Sequence, residues 1–277
     1  MRNNQRRTGH RPGVQPSSPA PGPPMAFAVP TEFVELPSRG VFYPEEHPLR
    51  NKKTVEIKFM TAKDEDILSS ESLLNNNQAI DRLLESLLVE DIDPGTLLIG
   101  DRSALLVAAR ISGYGEEYVV NHLCARCVTK QEINFNLSNA SLQDDCFDES
   151  MLQERGVTYN SETQTFDLTL PTTGVEVGLS LIDGYEEKEV LQNVPEKRKE
   201  SLVTSTLAAF LTKVNGNADP NYICSFIEVL PAKDSKFLRD LYPKLVPNVR
   251  FLHGFVCNAC YSKEDIEVPL TAAFFWP

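Results

Sequence analysis

His122-Leu123-Cys124-Ala125-Arg126-Cys127-Val128-Thr129-Lys130-Gln131-Glu132-Ile133-Asn134-Phe135-Asn136-Leu137 can be laid on Phe255-Val256-Cys257-Asn258-Ala259-Cys260-Tyr261-Ser262-Lys263-Glu264-Asp265-Ile266-Glu267-Val268-Pro269-Leu270 at one constant offset. In both stretches a Cys-x-x-Cys pair is followed, three residues on, by a lysine. An acid, an isoleucine and a leucine then recur at matched places: Glu132, Ile133 and Leu137 in the first, Asp265, Ile266 and Leu270 in the second. Apolar and polar positions alternate with a period of two after each turn, which predicts a turn feeding a strand. Two residues between the cysteines let a tight turn aim both thiolates at one point, each about 2.3 Å from a zinc ion. One pair supplies half of a tetrahedral shell and the second pair closes it; a shell closed by four sulfurs is structural, since no position is left for water or substrate. The expectation is one structural zinc on Cys124, Cys127, Cys257 and Cys260, in a split zinc-ribbon-like element.

The stretch from Cys127 to Cys257 is much longer than a compact ribbon allows, so two reduced thiol pairs that never meet are the alternative. A thioredoxin-like redox pair would run into a helix within a βαβ setting, whereas strands follow here. His122 and His253 precede the two pairs and are candidate substitute ligands, although strand residues of this kind are common. Cys146 and Cys224 fall outside the set.

Working outward, residues 1–30 form a basic arm rich in proline, with too little apolar surface to offset the entropy of ordering, and are expected to be disordered. Residues 31–120 read as an α-rich region. Val55–Phe59 alternates like a strand, and Ala79, Ile80, Leu83, Leu84, Leu87 and Leu88 form the apolar stripe of a helix. Asp101 is placed to cap a second helix running through Leu105, Ala108 and Ile111. Residues 121–185 carry the first cysteine hairpin and a second hairpin, Thr165–Leu170 with Val175–Leu179. In the helical region 186–250, one helix opens at Pro195 and carries Leu202, Val203, Phe210, Leu211 and Val214, and a short one follows Pro231. Residues 251–277 hold the second cysteine hairpin and an aromatic C-terminus. The fold class is therefore α+β, helices mixed with β-hairpins.

The four arginines of residues 1–24 face no acid there, which leaves 23 of the 27 basic residues against all 39 acidic ones, a formal charge of −16 on the rest. A nucleic-acid-binding domain displays a basic face to release phosphate counterions, so this balance argues against nucleic acid as the main partner. No apolar run is long enough for a membrane span, and no apolar segment follows the N-terminal arginines as in a secretory signal. The six cysteines then fit a reducing cytoplasm. Catalytic signatures are missing: no phosphate loop, no His-Glu-x-x-His, no Gly-x-Ser-x-Gly, and neither cysteine pair carries the His-x-Glu and proline of zinc deaminases. The chain is expected to be no enzyme and to take no small-molecule substrate.

Lys58–Leu68, Gly100–Gly115, Pro231–Arg239 and the C-terminal Val268–Pro277 resemble, in that order and together with the two Cys-x-x-Cys hairpins, the baseplate hub assembly proteins of T-even-type contractile-tailed phages. The resemblance covers roughly residues 33–277. It implies a structural or chaperone role in building the hub, contacts with other phage tail and baseplate proteins, and a place in the virion tail or in the host cytoplasm during assembly. In relatives a glycine commonly follows the second cysteine of each pair; Val128 and Tyr261 stand there instead. Phe274, Phe275 and Trp276 are candidates for partner contact, with packing onto the chain's own core as the equal alternative. Two other functions compete. A zinc-ribbon nucleic-acid-binding regulator needs a basic face, for which only Arg126, Lys130 and Lys263 are at hand. A metal-dependent hydrolase needs an open coordination position beside a base such as Glu132 or Glu264.

Overall fold

The computed structural model describes residues 28–75, 78–143, 145–192, 202–267 and 272–275. The expectations for the arm up to residue 27, for Pro195 and for Trp276 lie outside these residues.

The chain enters on an antiparallel pair, Thr31–Glu35 (β1) with Thr54–Lys58 (β2), which sets Val34 opposite Val55. Short helices follow: Ala62–Ser69 (α1), Glu71–Asn75 (α2) and Ala79–Leu87 (α3). The α3 stripe predicted from spacing is the buried one, with Ala79, Leu83, Leu84 and Leu87 turned inward. Asp93, Pro94 and Gly95 then make a tight turn in which the Asp93 carboxylate accepts from the Gly95 amide at 2.9 Å.

Ile99–Tyr114 (α4) is the spine of the body. Nearly every residue from Gly100 to Arg110 is buried, so this helix is packed all round rather than on one stripe. Gly100 is required there: a Cβ would meet the Pro247 carbonyl oxygen at 1.8 Å. Asp101 does not cap the helix, as its sequence position suggests; Leu98 is the entry residue and Asp101 lies inside the first turn. Its carboxylate, fully buried, instead accepts from the Ser38 amide at 2.9 Å, the Ser38 hydroxyl at 2.5 Å and the Tyr43 hydroxyl at 2.8 Å. The loop between β1 and β2 is thereby tied to the spine, a demand on Asp101 that outweighs a local cap.

Past α4 come two hairpin strands, Glu117–Leu123 (β3) and Lys130–Asn136 (β4), then Ser141–Gln143 (β5) and the short helix Glu149–Glu154 (α5). Val157–Asn160 (β6), Thr165–Thr169 (β7), Glu176–Leu179 (β8) and Leu211–Val214 (β9) form one antiparallel sheet in that order. The predicted hairpin is β7–β8, and Leu168 faces Val177 across it. Gly184–Gln192 (α6) and Leu202–Phe210 (α7) precede β9. Here the sequence reading needs correction, because Leu211 and Val214 belong to a strand and not to the helix that carries Phe210. They pair with Leu179 and Val177 and extend the sheet, so cross-strand packing overrides the helical spacing.

Pro220–Val229 (α8) and Ala232–Leu245 (α9) follow; α9 is longer than the short helix expected after Pro231 and continues through Pro243. Asn248–Arg250 (β10) pairs with β5 and lies against the start of α4, and Leu252–Val256 (β11) with Lys263–Glu267 (β12) closes the chain as a second cysteine hairpin. The class is mixed α and β, as expected, with several small sheets around one continuous apolar core.

Candidate metal centre

Each cysteine pair sits at the free end of a two-stranded hairpin. In β3–β4 the register runs from Glu117 opposite Asn136 to Leu123 opposite Lys130, and in β11–β12 from Leu252 opposite Glu267 to Val256 opposite Lys263. The turns have the same backbone bonding. Val128 N–H donates to the Cys124 carbonyl and Tyr261 N–H to the Cys257 carbonyl, both at 2.9 Å; the Cys124 and Cys257 amides reach Thr129 and Ser262 at 3.1 and 3.0 Å. Closing these turns requires a left-handed residue after the second cysteine, and φ is +58° at Val128 and +57° at Tyr261. A branched or bulky residue in that region is costly and uncommon.

The first hairpin is rooted in the body by its buried Tyr118, Ile133 and Phe135. In the second the buried residue is Phe255, beside the turn, and in the turns themselves Cys124 and Cys257 are buried while Val128 and Tyr261 are exposed. At the first base Arg110 of α4, itself buried, donates to the carbonyls of Gly115 at 3.2 Å, Glu117 at 3.4 Å and Phe274 at 3.3 Å. One guanidinium thus joins the spine, the root of β3 and the C-terminal turn.

So placed, the four sulfurs converge. Cys127 and Cys257 Sγ are 3.5 Å apart, Cys124 and Cys260 Sγ 3.7 Å, and all four lie within 4.8 Å of one another. Ligands about 2.3 Å from a tetrahedral ion stand about 3.8 Å from each other, so the donor set fits a metal ion in number, type and spacing. The two pairs meet, and the alternative of separated thiol pairs falls.

Residues outside the four sulfurs complete the arrangement. The Ser262 hydroxyl lies 3.2 Å from both Cys124 and Cys260 Sγ, and the Thr129 hydroxyl lies 3.1 Å from Cys127 Sγ. Gln131 reaches across from the first hairpin: its amide nitrogen donates to Cys257 Sγ at 3.0 Å and its carbonyl oxygen accepts from the Asn258 amide at 3.0 Å. Glu264, at the matching place in the second hairpin, reaches back to His122 Nε2 at 2.7 Å. These partners were missed in the sequence, although the repeat itself aligns Thr129 with Ser262 and Gln131 with Glu264.

The donors act on the thiols. Cys124 is pulled down to about 6, first by the Ser262 hydroxyl and then by backbone amides of its own turn. Cys257 is lowered chiefly by the Cys260 amide. For Cys127 the Thr129 hydroxyl and amide pull downward, but burial and the crowding sulfurs of Cys260 and Cys257 carry the net shift up. Sulfurs this close resist full ionisation without a cation between them.

His122 is engaged with Glu264 rather than aimed at the sulfurs, and the His253 side chain lies outside what the structure describes. Glu264 is therefore committed to His122, and Glu132 points to solvent from the outer face of β4.

The family described as T4 bacteriophage base plate protein matches residues 42–276. The chain belongs to this family. No curated protein and no solved structure matches it. A base plate protein is a structural part of the phage tail, and no helix among its described residues is long and apolar enough to cross a membrane. Phe274 and Phe275, read from the sequence as candidate partner contacts, have their side chains in the base plate protein's own core, at 1% and 0% exposure. Phe274 packs edge-on to Tyr118 at 5.0 Å, which leaves it no free surface for a neighbour.

Proposed function

We propose that this base plate protein is a structural or assembly component of the hub of a contractile tail, stapled by one structural zinc ion on Cys124, Cys127, Cys257 and Cys260. The observation that carries the reading is the meeting of four sulfurs from hairpins some 130 residues apart in sequence, within 4.8 Å of one another. Zinc suits four thiolates better than the hard cations that prefer oxygen. Bound there it would supply a cross-link and no chemistry, because four protein sulfurs leave no coordination position for a substrate. The family supports a place in the base plate, and the resemblance of the quoted segments, in their order, to hub assembly proteins supports the hub. Elemental analysis of purified protein tests the staple: one zinc per chain is expected, with a sulfur-only shell by X-ray absorption. Protein purified without added chelator that holds no metal, or a shell containing oxygen, would sink it. The hub role is tested by trans-complementation of a phage whose copy of this gene is disrupted, with base plates scored for a completed hub.

A further inference from the structure

We infer that the paired cysteine turns are a docking tip for an acidic, partly apolar surface of another tail protein; this deepens the hub reading and rests on it. Val128 and Tyr261 are among the most exposed large apolar side chains among the described residues, at 72% and 77%, and both occupy the strained left-handed backbone after a cysteine pair. Elsewhere the fold meets positive φ with glycine, at Gly40, Gly115, Gly156, Gly174 and Gly216, or mostly with polar residues such as Asn51 and Asn215. At the two turns it sets a branched and an aromatic side chain in water, where neither packs. Strain kept at an exposed site, with an apolar group as its product, points to use of that group. Leu123 and Val256, at matching places on the outer faces of the hairpins, are exposed beside them at 57% and 48%.

Charge selects the occupant. Segments 123–131 and 256–263 contain Arg126, Lys130 and Lys263 and no acid, on a chain that otherwise carries a large negative excess, and all three cations are exposed. Glu264 is engaged by His122, and the exposed Glu132 and Asp265 stand on the strands behind the turns. A second copy docking tip to tip would set like charges together, and two bodies of this acidity repel. An acidic protein surface with an apolar centre matches the tip in both respects. Nucleic acid would leave four exposed apolar side chains without a role.

The test places a photo-crosslinking phenylalanine analogue at Tyr261 and lets the protein complement the disrupted phage. An adduct to an acidic peptide of a different tail protein is expected. An adduct to a second copy, a nuclease-sensitive adduct, or no adduct in complemented particles overturns the inference. In parallel, Val128→Gly with Tyr261→Gly relieves the backbone, so zinc content stays at one per chain and melting does not fall, while the titre of infectious particles drops at least tenfold. An unchanged titre overturns the inference. Should the double variant misfold, Tyr261→Asn, which tolerates the left-handed turn, and the charge reversal R126E/K130E/K263E give the same readout. If wild-type protein fails to complement, the hub reading falls and the inference with it; if wild type complements and all variants match it, only the docking tip falls.

Discussion

The helical body and the paired cysteine hairpins are held together by different physics. Around α4 stability comes from area: Leu105, Ala109, Leu83, Leu87 and Leu49 are at or near zero exposure, and the buried Asp101 carboxylate is held by three donors. At the hairpin end apolar groups face outward, and what joins the halves is a knot of four sulfurs with Gln131, Ser262, His122 and Glu264 around it. A body held by burial melts as a unit; an end held by a few polar cross-links opens alone when they are removed. The difference teaches where to strike each region.

The largest effect is expected from the metal. Structural zinc sites contribute apparent binding free energy on the order of 10 kcal/mol at neutral pH, here a stability local to the hairpins. Chelation, or Cys257→Ser, should abolish amide-exchange protection in β3–β4 and β11–β12 while α4 keeps its own. Loss of protection in α4 in the same step would erase the comparison.

The body has its counterpart in Asp101. Asp101→Ala orphans the Ser38 amide and the hydroxyls of Ser38 and Tyr43 in a fully buried place, a loss of about 3 kcal/mol or more. Melting should fall and zinc stoichiometry should not. Burial also raises the Asp101 pKa against the pull of its three donors. The folded chain then holds a proton that the unfolded one releases, so this group's contribution is fullest below the unfolded value of about 3.9 and declines as pH rises toward the folded one. Asp101→Asn should remove that decline, which urea midpoints measured across the acid range would record.

How much of this was legible depended on how local the cause was. The cysteine turns, the β7–β8 hairpin and the α3 stripe are written in spacings of two, three or four residues, and each stands where its spacing put it. The convergence of the cysteines was half legible: the repeat paired the hairpins, but the contacts that set them face to face, Gln131 to Asn258 and His122 to Glu264, join residues more than a hundred positions apart. Asp101 and Leu211 misled for the same reason, since the partners that decide them, Ser38 and Leu179, are distant in sequence. The aromatic terminus had two readings that composition cannot separate, and contact with Tyr118 decided for the core in the case of Phe274.

A smaller effect separates metal from latch. Gln131→Ala removes the donor to Cys257 Sγ and the acceptor for the Asn258 amide without touching a ligand. Outer partners of this kind typically change metal affinity by about 10- to 100-fold. Competition with a calibrated zinc chelator should show a shift in that range while the melting of α4 stays put. Equal affinities would mean that the sulfurs alone set the site and that Gln131 merely fills space between the hairpins.

The smallest effect has the opposite sign. Val128 stands at φ +58° in a turn whose two bonding amides are already satisfied, so its side chain contributes strain and little packing. The left-handed region costs an L-residue about 1–2 kcal/mol, and glycine gives back about 0.4–1 kcal/mol through its freer unfolded chain. Val128→Gly should therefore stabilise the zinc-loaded protein by about 0.5–1 kcal/mol, and Tyr261→Gly by a similar amount. In the body the sign reverses: Gly115→Ala, at φ +86° with open space around its Cβ, should destabilise by about 1 kcal/mol, because there the chain already has the residue its backbone requires. Gains at both turns against a loss at Gly115, read from chemical denaturation at fixed zinc, would show that the hairpin end gives up stability that the body keeps. A loss at Val128 instead would mean that its side chain packs usefully within the chain, and the strain would no longer call for a partner to explain it.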